Sequence, residues 1–123
     1  MRGLLIKKFW LEKILEGEKT WEIRGSNTHI RGRIGLIESG SGLVKGTCDL
    51  ADVKGPLSLT ELRRNVSKHM TSLSELRKPS RYKKTYAWVL KDAKALRKPV
   101  PYEHPQGAVI WVKLADSVSR GLK

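Results

Sequence analysis

Residues 17–24 read Gly17-Glu18-Lys19-Thr20-Trp21-Glu22-Ile23-Arg24. Two acids, two bases and a hydroxyl surround a glycine, where an ordinary half-buried strand would alternate charged with apolar side chains. From Lys19 the segment suits an extended chain, with Trp21 and Ile23 on one side and Thr20, Glu22 and Arg24 on the other. Strict alternation separates Lys19 from Glu22, so a site that uses both requires a turn or bulge between them. Upstream, Phe9, Trp10, Leu11, Ile14 and Leu15 recur at helical spacing and stop at Gly17, the residue type that most often ends a helix. Before them, Gly3 to Ile6 reads as a short strand.

Downstream, Gly25-Ser26-Asn27 turns the chain, and Arg33 to Glu38 and Leu43 to Val53 form a hairpin around Ser39-Gly40-Ser41-Gly42. That glycine-serine loop has no following helix and no Gly-Lys-Ser/Thr, so it is not a phosphate loop. Ser58-x-x-Glu61 and Ser72-x-x-Glu75 have the spacing of capping boxes and predict two short helices over residues 58–78. Thr85 to Leu90 resumes a strand in which Tyr86, Trp88 and Leu90 share a face. Lys98-Pro99-Val100-Pro101 lacks ladder donors and reads as a loop or sheet edge, and Gly107 to Leu114 reads as the last strand. About six strands and three short helices, without a βαβ rhythm, predict an α+β, mostly β fold, a small barrel plugged by helices. Residues 1–116 form the expected single domain and 117–123 a C-terminal tail.

The 123 residues suit one core. No apolar run approaches the roughly 20 residues that span a bilayer, and the three aliphatic residues after Gly3 are too few for a secretory core, so a cytoplasmic, non-membrane protein is expected. The lone Cys48 excludes an internal disulfide and reads as core. His29, His69 and His104 lie too far apart for a metal-ligand spacing, so neither metal nor cofactor is expected. Lys and Arg total 25 against 12 acids, for a net charge of +13. Nine of these cations fall between Arg77 and Lys98 with Asp92 as the one acid. Such a density suits a surface that follows a phosphate backbone, with Arg77, Arg81, Lys83 and Lys84 as contacts, although a solvated face is the plain alternative.

Residues 17–24 resemble the G-x-K-x-x-E-x-R signature of ASCH domains. The resemblance continues through the preceding helix, Tyr86-Ala87-Trp88-Val89-Leu90 and Pro101-Tyr102-Glu103-His104-Pro105-Gln106-Gly107, so it covers nearly the whole chain. It implies a PUA-like β-barrel with a cleft beside the signature, and relatives described as RNA binders, ribonucleases and amidohydrolases of N4-acetylcytidine. In the amidohydrolases the lysine matching Lys19 acts with a threonine three residues later and a distal glutamate. Here Glu22 occupies the threonine position, Thr20 is the adjacent hydroxyl, and Glu75 or Glu103 is the distal acid.

By chemistry alone Lys19 serves as a cation for a developing oxyanion or, if burial lowers its pKa, as a general base, and Glu22 as the group that activates water. The structural alternative is a surface ion-pair cluster in which Glu22 fixes Arg24. Arg24 otherwise suits bidentate contact with a phosphate. Trp21, Trp111 and the pair Tyr86 and Trp88 are candidates to stack on a base, though most aromatic residues of a small barrel are core. Glu103 and His104 complete the candidate substrate contacts, with His104 as acid, base or simple backbone partner. The expected partner is a nucleoside or RNA and the expected state a monomer. Deacylation of an N4-acylcytidine is the leading expectation, with metal-independent ribonuclease or plain RNA binding as alternatives.

Overall fold

A computed structural model of the chain describes every residue except Arg77, Pro79, Ser80, Arg81 and Lys123. Strand β1 (Arg2–Ile6) leads into helix α1 (Lys8–Leu15) and strand β2 (Trp21–Arg24). The hairpin β3 (Gly32–Glu38) and β4 (Leu43–Lys54) follows, then three short helices, α2 (Leu59–Arg64), α3 (Val66–His69) and α4 (Leu73–Leu76). Strand β5 (Tyr86–Pro101), strand β6 (Trp111–Lys113) and helix α5 (Asp116–Arg120) complete the chain. The strands form one sheet in the order β2-β5-β4-β3-β1-β6, curled into a half-barrel.

β1 and β3 are parallel while every other pair is antiparallel. A parallel pair needs a crossover connection, and residues 7–31 supply it. The chain leaves β1, packs α1 against the sheet, lays β2 on its far edge beside β5, and returns to β3. The signature segment therefore lies at the junction of helix and edge strand.

The curl gives the sheet two apolar faces, which explains why β1 and β3 read as nearly unbroken hydrophobic runs. Leu4 and Ile6 join Leu11, Ile14, Ile34, Leu36, Leu50 and Trp88 in one core, whereas Leu5 and Ile37 join Val44, Val112, Leu114 and Leu122 in a second. Cys48 is fully buried in the first core, and burial pushes its thiol up to about 12, which removes it as a nucleophile.

The sequence expectations hold for the six strands and the β3–β4 hairpin and need correction elsewhere. Five helices are present among the described residues rather than three. Ser58 forms a full capping box with Glu61, but the following segment breaks at Asn65 and at Met70 (φ 64), so three short helices replace two. Of the two readings of Lys98–Pro101, loop or sheet edge, the edge holds: β5 runs on to Pro101 paired with β4 alone, through Val44–Val100 and Leu43–Pro101, while β2 pairs with it only at Tyr86–Val89. β6 is only three residues long. The expected tail after residue 116 is part of the fold: α5 folds it back and Leu122 is buried in the second core. Among the described residues no helix is long and apolar enough to cross a membrane.

Bulges let 16-residue β5 follow 12-residue β4, and Gly46 sits at one of them. A Cβ there would fall 2.4 Å from Leu15 Cδ2 and 2.6 Å from the Lys94 carbonyl oxygen, so backbone as well as side chain must move. Gly46→Ala should destabilise the fold by about 1–3 kcal/mol, the usual range for overpacking, read as a lowered urea midpoint with an unchanged slope. An unchanged midpoint would show that β4 and β5 separate freely at this point.

Candidate functional site

Gly17 (φ 82) closes α1, and the backbone N–H groups of Glu18 and Lys19 both donate to the Lys13 carbonyl at 3.1 Å. Lys19 is thereby fixed to the helix end before β2 begins at Trp21, and escapes the alternation of the strand. This is the turn that the sequence required. Glu22 and Arg24 follow two residues apart on one face of β2, and Lys19, Glu22 and Arg24 meet in a cavity of about 580 Å³.

The three side chains form a buried charge chain. Lys19 is 3% exposed and Glu22 6% exposed. Lys19 Nζ lies 3.6 Å from Glu22 Oε1, donates to the His69 carbonyl at 2.6 Å, and stands 4.4 Å over the Trp10 ring. Arg24 donates to Glu22 Oε2 from Nη2 at 2.9 Å and from Nε at 3.2 Å, and Nη2 also donates to the Leu5 carbonyl at 2.7 Å. Glu22 thus has a cation on each oxygen, the compensation that a buried carboxylate requires. Burial holds the Lys19 amine below the usual lysine range; the Glu22 charge opposes that shift and Arg24 adds to it.

His69, which sequence spacing set aside, anchors the arrangement. It is fully buried, Nε2 lies 2.6 Å from the Leu62 carbonyl, and Nδ1 accepts the Thr71 backbone N–H at 3.0 Å. With Nδ1 an acceptor, Nε2 must carry the hydrogen, so the ring is held neutral. Burial pushes its pKa below the ordinary histidine value, with the Lys19 charge adding to the shift and the bond to Leu62 opposing it. The Thr20 backbone N–H also donates to the Lys68 carbonyl, at 2.9 Å, so the helical insert docks on the signature through two main-chain carbonyls.

The other sequence candidates are scattered. Thr20 is exposed and does not line the cavity. Trp21 is buried with the Lys68 ammonium 5.0 Å above its ring. Trp88, expected to stack on a base, is 1% exposed, lies flat against Trp111 at 5.6 Å and donates from Nε1 to the Ser26 carbonyl. It has no open face for a ligand, and the expectation for Trp88 is corrected; Tyr86 and Trp111 pack partly buried against the same core. Glu75 lines the Lys19 cavity, while Glu103 and His104 line a separate depression of about 740 Å³. There His104 is held between the Tyr102 hydroxyl at 2.8 Å and the Ala108 carbonyl at 3.1 Å. Lys83 and Lys84 are exposed, and Arg77 and Arg81 lie outside the described residues. Among the described residues no three His, Cys, Asp or Glu side chains gather as metal ligands.

His69 gives the fold a pH dependence whose sign is fixed. Its folded pKa lies below the unfolded value of 6.5, so between the two the unfolded chain binds more protons and stability falls as pH falls. Unfolding free energies from urea titrations between pH 7.5 and 5 should decline below pH 6.5 with a slope of up to about 1.4 kcal/mol per unit. The decline should flatten in His69→Gln, which keeps a donor for Leu62; equal slopes in both proteins would exclude His69 as its source.

The family model of the ASCH domain matches residues 4–100. No curated protein matches the chain. Among solved structures, ASCH from Zymomonas mobilis has a TM-score of 0.73 at 18% identity, covering 98% of this chain and 92% of that one. A serine-to-alanine mutant of the Zymomonas mobilis protein gives 0.74 at 19% identity, over 98% and 92% of the two chains. Identity this low establishes the shared fold, and the family match spans most of the chain, signature included. This chain belongs to the ASCH domain family.

Proposed function

We propose that the cavity receives the base of an N4-acylcytidine nucleoside and hydrolyses its amide, with Lys19 as the proton-transferring group. The observation that carries this is the buried amine of Lys19 beside Glu22 in a nucleoside-sized cavity. A neutral lysine has two N–H donors and one lone pair. The His69 carbonyl and Glu22 face the donors, which leaves the lone pair for water. Water would give a proton to Lys19 Nζ as its oxygen bonds to the acyl carbon. The C–N bond then breaks, Lys19 returns the proton to the leaving N4 nitrogen, and the products are a carboxylic acid and cytidine. Arg24 lines the same cavity and supplies positive charge toward the developing oxyanion. Glu22, held by the Arg24 cation on one oxygen and facing an N–H of Lys19 with the other, positions Lys19 and is a poor base. Of the two distal acids, Glu75 is the one we assign to orient the water, since it lines this cavity.

Cytidine released from N4-acetylcytidine is measured by chromatography. Lys19→Ala should lower kcat by roughly 10²–10⁴, and Lys19→Arg should not restore it, because a guanidinium cannot accept the proton. Failure of the purified wild-type protein to release cytidine from acetyl, propionyl and benzoyl substrates alike would remove the proposal.

RNA is a second ligand class, favoured by the basic strand: Lys91, Lys94, Arg97 and Lys98 of β5 are all exposed, as are Lys83 and Lys84 before it. ASCH domains are an RNA-associated family, and a free nucleoside offers nothing for such a surface to meet. If RNA is bound or cut, binding should fall steeply with salt as counterions are released, and any cleavage should persist in EDTA and vanish in Lys19→Ala. Salt-independent binding would instead leave these cations as a solvated face.

A further inference from the structure

The cations lining the cavity are not all accounted for by the buried cluster. Lys7, Lys19, Arg24 and Lys78 line it together with two acids, Glu22 and Glu75. Glu22 is engaged deep inside by Lys19 and Arg24. Glu75 is engaged by Lys78 at 2.8 Å, between side chains 57% and 68% exposed, the kind of surface pair that contributes little. Lys7 remains. Its ammonium has no carboxylate within ion-pair distance among the described residues, although the next residue, Lys8, reaches Glu12.

Lys7 immediately precedes α1, three residues before Trp10, whose ring covers the Lys19 ammonium. Lys7 is the extended N-cap residue of that helix, and both Lys7 and Trp10 line the cavity. Lys19 sits at 3% exposure in the interior, whereas Lys7 and Lys78 are exposed. The cavity is therefore graded, with an amine among apolar and paired groups inside and an unmatched cation at the rim. A nucleoside is neutral there and leaves the rim unused.

We infer that the ligand of this cavity carries a phosphate, which Lys7 and Lys78 meet at the rim while the base lies toward Lys19. The inference rests on the nucleoside assignment above and narrows it to nucleotides or phosphate-linked nucleosides. A phosphate oxygen takes charge-assisted hydrogen bonds from lysine that a ribose hydroxyl cannot match. Lys78 can exchange its exposed bond to Glu75 for one to phosphate.

Titration calorimetry at low salt on the full chain tests it with four probes: cytidine, cytidine 5′-monophosphate, a trinucleotide with central cytidine, and inorganic phosphate. The phosphorylated probes should bind roughly tenfold more tightly than cytidine. In Lys7→Ala that ratio should fall toward one, and in Lys7→Arg it should persist. A stronger monophosphate points to free nucleotides and a stronger trinucleotide to RNA; either supports the rim site. Equal binding of cytidine and its monophosphate, or a ratio that Lys7→Ala leaves unchanged, overturns it. Phosphate binding that depends on Lys7, with no binding of cytidine, would instead sink the nucleoside assignment and keep the anion site.

Discussion

A carboxylate removed from water must be given partners, and in this protein that single requirement organises the signature segment. Glu22 is buried and holds Lys19 on one oxygen and Arg24 on the other. The two cations in turn each take a main-chain carbonyl, His69 for Lys19 and Leu5 for Arg24. Those carbonyls belong to the helical insert and to β1, so the charge chain ties together three parts of the chain distant in sequence. Removing one member leaves the others buried without compensation, which costs far more than the pair contributes when intact. The arrangement is also why Lys19 is chemically unusual: it is desolvated like a core residue, yet a cavity opens onto it.

The element pattern was legible in the sequence because it rests on local rules. Periodicity marks α1, glycine ends it, and the glycine-serine loop joins β3 to β4. What sequence could not supply was set by tertiary pairing. Pro99 and Pro101 left a loop and a sheet edge both open, and the presence of β4 on one side alone decides for the edge. Residues after 116 look like a polar tail, but Leu122 finds the second core. In the site, Lys19, Glu22 and Arg24 were visible as residue types, and their convergence depended on where β2 starts. His69 was invisible because its backbone oxygen, rather than its ring, meets Lys19. Trp10 could have been noticed as an aromatic residue on the helix leading into the signature. Trp88 illustrates the opposite error: an aromatic residue in a basic segment suggests stacking, but its immediate neighbours are Trp111, Arg24 and Ser26.

The excess positive charge divides into two populations with different physics. Lys19 and Arg24 are buried or half-buried and matched to a carboxylate and to carbonyls, so added salt barely reaches them. The cations of β5 and of the segment before it stand in solvent, where their attraction is long-ranged and readily screened. The first population is shielded from ions in solution, and the second is open to them.

The bond between Lys19 and the His69 carbonyl joins residues 50 positions apart, and the His69 side is the end of a four-residue helix of the insert. Without the docked insert the amine loses both the carbonyl and the burial that lowers its pKa. The surroundings of Lys19 are therefore complete only when the 58–76 insert is seated against the sheet. The depressed pKa of Lys19 is in effect a readout of completed folding.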